Sequence, residues 1–341
     1  MRGRNVFERL PFAREVIRTI DDLRRERDGL RRDRDGLRRE RDHLRTRLGE
    51  AAAEVERLQR DGNSTMQRPS PQLFEPSFLA RTEALRRVRR HSKELNGHGD
   101  PVWAFNGKLE GMRLATELGL EVPRTLVRPT PITELAPPAE RCVVKPVHGA
   151  GSQGVAPLVP TADGRWRDLY ELDKGPRDWE EIRAELAELA ASGRVNQSFM
   201  VEELLPGRDE SSLPHDWKVF CVGGEVVALF GRDTRNQRFA YRAKFRYFSR
   251  EWEDLGLIGD PTRIDPTIPA PHHPDELIRA AEAVAGALPT LFVRIDLYDT
   301  PDRVVFGELT PQPGVPPWFG PELDRRFGER WDRAEAMTWK R

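Results

Sequence analysis

The sequence predicts an α+β chain: a nucleotide-binding core of strands and interspersed helices, preceded by a helix of a different kind. Three observations predict it. A hairpin near the end alternates with period two, a short apolar strand upstream runs into a glycine-rich loop, and a heptad repeat is confined to the first 60 residues.

The hairpin runs from Val293 to Asp299 and returns from Val304 to Thr310. Val293, Ile295 and Leu297 fall on one face, with Val305, Gly307 and Leu309 expected beside them. The other face carries Arg294, Asp296, Glu308 and Thr310. If the connection is a three-residue loop, Pro301 to Arg303, Asp296 sits opposite Glu308 with β-carbons about 5 Å apart. Two like charges at that distance repel, so the pair calls for a compensating cation. Hard oxygen ligands that leave room for water and phosphate suit Mg²⁺.

The second observation is the stretch from Cys142 to Gly154. Cys142 to Lys145 reads as a buried strand that delivers Lys145 beside a loop containing Gly149, Gly151, Ser152 and Gly154. Glycines let backbone N–H groups approach phosphate oxygens, and the lysine adds a point charge. Lysine usage sharpens this reading, because the chain has seven lysines (93, 108, 145, 174, 218, 244 and 340) among 56 basic residues. Arginine has been used wherever either cation serves. The remaining lysines are enriched for positions that need a compact ammonium.

Around these motifs, helices are expected near 78–95, 108–119, 180–191 and 274–287. Strands are expected at 141–145, 199–205, 217–230 (interrupted by a Gly223-Gly224 turn) and 239–248.

The heptads run through residues 15–60. Leu23, Leu30, Leu37 and Leu44 occupy d. Glu26, Asp33 and Glu40 occupy g, against Arg24, Arg31 and Arg38 at e. Acidic g facing basic e is the pairing of a parallel two-stranded coiled coil, so a parallel homodimer is expected. Gly29 and Gly36 each cost about 1 kcal/mol relative to alanine, so the coil is modest in stability. Charges alternate rather than forming an all-basic arm, which argues against a DNA-binding zipper. The expected organisation is a coiled-coil helix at 1–62, a linker at 63–77 and a catalytic core at 78–341.

Composition narrows the function classes. The 341 residues carry 56 basic and 56 acidic side chains, so no global field draws the chain to nucleic acid. No apolar run reaches the length needed to span a bilayer, and no signal-peptide pattern opens the chain. The two cysteines, Cys142 and Cys221, lie in apolar strand-like stretches, which suits a cytoplasmic protein without disulfides.

The order of motifs carries a resemblance. Lys108 follows Asn106-Gly107, then come the Lys145 strand and glycine loop, then Phe199 to Leu205, then the acidic hairpin. This order resembles the ATP-grasp enzymes, and within them the teichuronopeptide-biosynthesis (TupA-like) branch, over residues 100 to 330. The resemblance implies an ATP-grasp fold, two α+β subdomains clasping ATP. It places Lys145 and Lys108 on the phosphates, with the glycine loop closing over them. Glu202 then stands beside the exocyclic amine of adenine, and the peptide groups from Glu203 to Leu205 lie along the ring edge. Asp209 or Glu210 falls to the ribose hydroxyls, and Asp296 and Glu308 to Mg²⁺, with Thr310, where many ATP-grasp enzymes carry asparagine, as a weaker third ligand that Gln312 or water supplements. Arg294 would steady acyl-phosphate oxygens. Lys218, Arg232 and Lys244 are unranked candidates for the γ-phosphate and the transferred group. The implied activity is ADP-forming ligation of a carboxylate to an amine, on a small molecule, peptide or envelope polymer. Phosphate transfer to a sugar or alcohol, and a non-catalytic ATP-binding scaffold, are the alternatives.

Overall fold

The computed structural model describes residues 75–96, 100–149, 151–207, 213–233, 243–256, 261–312 and 319–339. The heptads, most of the linker, Asp209 and Glu210 lie outside the described residues. The chain divides into two units, Met1–Phe74 and Glu75–Arg341, and the second carries the architecture below.

Among the described residues, strands form two five-stranded sheets whose pairings are all antiparallel. The first has the order β1-β5-β2-β3-β4, with β1 Thr125–Pro131, β2 Cys142–Pro146, β3 Ala156–Pro160, β4 Trp166–Asp168 and β5 Ser198–Glu203. One face is closed by helix α3, Trp179–Ala191, which presents Ile182, Leu186 and Ala190 to Cys142, Val144, Leu158, Phe199 and Val201. The other face carries Val143, Lys145 and Glu202, because side chains alternate along a strand and opposed residues share a face.

The second sheet has the order β10-β9-β6-β7-β8, with β6 His215–Val222, β7 Glu225–Asp233, β8 Lys244–Phe248, β9 Phe292–Asp299 and β10 Val304–Thr310. Helix α4, Pro274–Ala287, spaces Leu277, Ile278, Ala281 and Val284 three and four apart, so they form one apolar stripe. That stripe and Met112 and Ala115 of α2, Lys108–Glu117, cover Trp217, Val219, Val293, Ile295 and Leu309. The opposite face is split. Part is roofed by α1, Phe78–Asn96, and α5, Pro321–Thr338, through an aromatic cluster around Phe78. Phe78 meets Phe220, Phe292, Phe319, Phe327 and Trp331 edge-on, with ring centroids 5.6–6.4 Å away. Gly328 permits this approach, because a β-carbon there would lie 2.3 Å from the Ser77 nitrogen. The rest of that face holds polar side chains.

Helices form at all four expected places, within two residues of the expected bounds. The hairpin departs from expectation in one respect. Asp296 does face Glu308, but the connection is four residues, Thr300 to Arg303, and Gly307 is an extra residue in the register. Beyond this bulge Leu297 pairs with Phe306, so Val304 and Phe306, not Val305 and Gly307, join the apolar core. A side chain at Gly307 would lie 2.9 Å from the Tyr298 ring and 3.1 Å from the Asp296 carbonyl.

Candidate active site

The register of the second sheet builds most of the site. On its polar face, one cross-strand row contains Tyr298, Asp216 and Arg232, and the next contains Glu308, Asp296 and Lys218. Arg294 and Thr310 form a third. The charges interlock. Arg232 Nη2 lies 3.0 Å from Asp216 Oδ2, which is 3.1 Å from Lys218 Nζ. Lys218 also bonds Asp296, whose other side is gripped by Arg294, with Nε donating to Oδ1 at 2.7 Å and Nη2 to Oδ2 at 2.9 Å. Arg294 Nη2 further donates to the Thr310 hydroxyl at 2.9 Å and stands 3.5 Å from Glu308.

These contacts set the electrostatics. Burial of Asp296 opposes its charge, but Arg294 and Lys218 overcome that and hold its carboxyl at about 2. Arg294 is raised although burial works against it, because Asp296 and Glu308 favour its charged form. Glu308 is the accessible acid, its side chain 41% exposed against 4% for Asp296.

The first sheet contributes less charge. Lys145 Nζ lies 2.5 Å from Glu202 Oε2, and Glu202 is nearly inaccessible to solvent. Its second oxygen, Oε1, is buried with no hydrogen-bond partner. A buried carboxylate oxygen left without a donor is costly, and a ligand N–H aimed at it removes that cost. Glu203 is already engaged, accepting the Arg124 N–H at 2.9 Å, and Leu204 and Leu205 are buried beside it. In the glycine loop, Gly151, Ser152 and Gly154 all take positive φ, at 68°, 61° and 71°, while Gly149 is exposed.

Lys108 joins the two sheets. It opens α2, and its ammonium lies in the field of Glu308 from one sheet and of Lys145 and Glu202 from the other. Burial first, and Lys145 after it, lower its pKa against the pull of the two acids. The structure therefore gathers Lys108, Lys145, Glu202, Lys218, Arg232, Arg294, Asp296, Glu308 and Thr310. It does not gather Lys244, which pairs in register with Asp233, alternates onto the other face and donates to the Thr262 carbonyl at 2.5 Å.

Three residues escape a reading by motif. Asp216 and Tyr298 stand two positions from Lys218 and Asp296, so period two alone puts them on the site face. Tyr170 has no such signal. Its hydroxyl is bonded to Ser152 and lies in the field of Arg232 and Asp216, and burial raises its pKa. Burial, then Asp216, raises Tyr298 further.

For a metal, Asp296 and Glu308 supply two carboxylates and Thr310 a hydroxyl, with no cluster of three or more His, Cys, Asp or Glu among the described residues. That donor set fits Mg²⁺, which keeps waters and shares its remaining positions with substrate phosphates. Lys145 and the glycine loop of the first sheet, Lys108 at the start of α2 and the acidic hairpin of the second sheet thus come together between two antiparallel sheets. The TupA-like ATPgrasp family matches residues 127–331, and the chain belongs to that family.

Among solved structures, the chain is similar to the L-amino acid ligase from Bacillus licheniformis, at 13% identity over 66% of this chain and 46% of that one, with a TM-score of 0.40. It is similar to VanG D-Ala:D-Ser ligase from Enterococcus faecalis, at 15% identity over 68% and 61%, TM-score 0.40. It is also similar to D-alanine–D-alanine ligase from Bacillus anthracis complexed with ATP, at 14% identity over 69% and 65%, TM-score 0.40. The chain spans less than two thirds of the length of each. No curated protein matches it. None of the described helices is long and apolar enough to cross a membrane.

Proposed function

We propose that the protein is an ATP-dependent, ADP-forming ligase that joins a carboxylate to an amine, in the synthesis of a cell-envelope polymer or peptide conjugate. The observation that carries this reading is the order of charges across the second sheet. The acid pair lies on β10 and β9, Lys218 on the next strand, and Arg232 one strand further. At the usual strand spacing, Arg232 stands about 10 Å from the Asp296 strand. That is far enough to hold a second anion beyond the end of a triphosphate.

In this reading Lys108, Lys145 and the glycine loop hold the phosphates, and the free oxygen of Glu202 accepts from the exocyclic amine of adenine. Mg²⁺, when bound by Asp296 and Glu308, neutralises phosphate charge. Lys218 stands at the γ-phosphate. Arg232 orients the acceptor carboxylate, its buried and unpartnered Nε donating to it, and Tyr170 and Tyr298 wall the same pocket. The carboxylate oxygen attacks the γ-phosphorus, the bond to the bridging oxygen breaks, and ADP leaves. The amine then attacks the acyl carbon, phosphate departs and the amine loses its proton to solvent. Arg294 balances negative charge throughout. We also infer parallel pairing of two chains through residues 15–60, which light scattering of the full chain and of a chain lacking residues 1–62 tests.

The chemistry is tested with candidate carboxylates labelled with ¹⁸O and a panel of amines. One label in the released phosphate, with ADP formed, is the expected result. Label retained wholly in the product, or AMP in place of ADP, overturns the acyl-phosphate route. Phosphorylation of an added sugar or alcohol instead assigns phosphotransfer.

A further inference from the structure

Helix α1 precedes the segment matched by the family, yet one of its side chains reaches the stretches that carry the site. Arg89 has 4% of its side chain exposed. Its Nε donates to Asp100 Oδ2 at 2.7 Å, its Nη2 to the Thr290 hydroxyl at 2.9 Å, and its Nη1 to the Pro311 carbonyl. Each acceptor belongs to a different piece of backbone. Asp100 caps the turn at Pro101–Phe105 by accepting the Val102 N–H at 3.1 Å, and that turn leads through Gly107 into Lys108. Thr290 donates to the Phe292 carbonyl at 3.0 Å, at the start of the strand bearing Arg294 and Asp296. Pro311 directly follows Thr310 at the end of the strand bearing Glu308.

Holding α1 in place does not require this arrangement. The helix is already anchored by the Phe78 cluster and by Arg81, which pairs with Glu335 at 3.0 Å and with Asp332 on α5. A buried arginine carries a desolvation cost, and an apolar side chain of similar volume often serves packing as well or better. What an apolar residue cannot supply is three directed donors from one rigid plane.

We infer that Arg89 is a positioning residue, which fixes the separation between Lys108 and the Asp296–Glu308 pair by tying the backbone leading to each into one guanidinium. The inference rests on the reading of that site as a magnesium–nucleotide site. If the separation drifts, Lys108 and a metal held by the acids no longer meet the same phosphates. The metal-dependent part of nucleotide affinity then falls, while base recognition near Glu202 is kept.

The test uses the full chain and a non-hydrolysable ATP analogue, titrated by calorimetry with and without Mg²⁺, alongside thermal melting. Arg89→Met is expected to weaken binding with Mg²⁺ by roughly tenfold or more, the scale of lost charge-assisted hydrogen bonds. Without Mg²⁺, binding stays within about twofold of wild type, so the ratio of the two affinities shrinks. Arg89→Lys keeps a charge for Asp100 but cannot span three acceptors; it should melt near wild type with an intermediate ratio. Arg81→Met should melt lower with the ratio unchanged. If Arg89→Met does not fold, Arg89→Lys decides. A folded Arg89 variant with the wild-type ratio overturns the inference alone. Failure of the wild type to bind the analogue with Mg²⁺ overturns the nucleotide reading and the inference together.

Discussion

The first sheet meets the site with one ion pair, Lys145 and Glu202, and leaves a Glu202 oxygen without a partner. The second meets it with a continuous chain from Arg232 through Asp216, Lys218 and Asp296 to Arg294. The sheets match in size and antiparallel pairing, but the first carries an isolated ion pair beside its spare acceptor, and the second a linked charge network whose spare group, Arg232 Nε, lies at its far end. Buried charges in a shared network stand or fall together, whereas an isolated pair with a spare acceptor changes only its own contact. Substitutions in the two regions should therefore fail differently.

The largest effect is expected at Asp296. Asp296→Asn removes the shared partner of Arg294 and Lys218, both buried. It should cost about 3 kcal/mol or more in urea unfolding and lower magnesium-dependent ADP formation by about 100-fold or more. Glu308→Gln separates these consequences. Its side chain is 41% exposed and touches only the edge of the network, so ADP formation should drop comparably with stability within about 1 kcal/mol of wild type. Turnover within threefold of wild type in Glu308→Gln would remove the acid pair from the mechanism.

Gly307→Ala tests the bulge that brings those acids together. A methyl group there meets the Tyr298 ring and the Asp296 carbonyl, so a loss of about 1–3 kcal/mol is expected. An unchanged melting curve would mean that the hairpin tolerates a plain register.

On the first sheet, Glu202→Gln should lower the melting temperature less than Asp296→Asn, since it unpairs one buried cation rather than two, and should weaken ATP roughly tenfold, since a neutral amide replaces a charged acceptor. A loss of the same size for GTP would show that Glu202 only steadies Lys145.

The smallest effect concerns the two thiols, one on each sheet. Burial pushes Cys142 up to about 12 and Cys221 further still. Both lie above the unfolded value of about 8.5. Their contribution to stability is therefore complete below that pH and drains away as pH rises toward the folded values. At pH 8 the native chain should react with a disulfide reagent at under about one-hundredth of the rate of the urea-unfolded chain. Fast reaction of one thiol would mark its sheet as the more open.

What the sequence determined by itself was whatever follows from local periodicity. Alternation put Arg294, Asp296 and Glu308 on one face, delivered Lys145 beside its loop and set the apolar stripe of α4, because the backbone repeat fixes which side chains share a face. Asp216 and Tyr298 were legible by the same rule. Tertiary structure alone decided the rest. Gly307 takes up the difference between the four-residue turn and the Asp296–Glu308 register; an isolated strand glycine hints at a bulge, but the register it absorbs is fixed only by the pairing. Lys244 matches the composition of a phosphate ligand, yet its register against Asp233, one residue out of step with Arg232, puts it on the other face. Tyr170 and Arg89 reach the site from remote elements, through contacts that exist only once helices and sheets have packed. Spacing along the chain specifies a face; where that face points, and which distant donors meet it, is settled by burial.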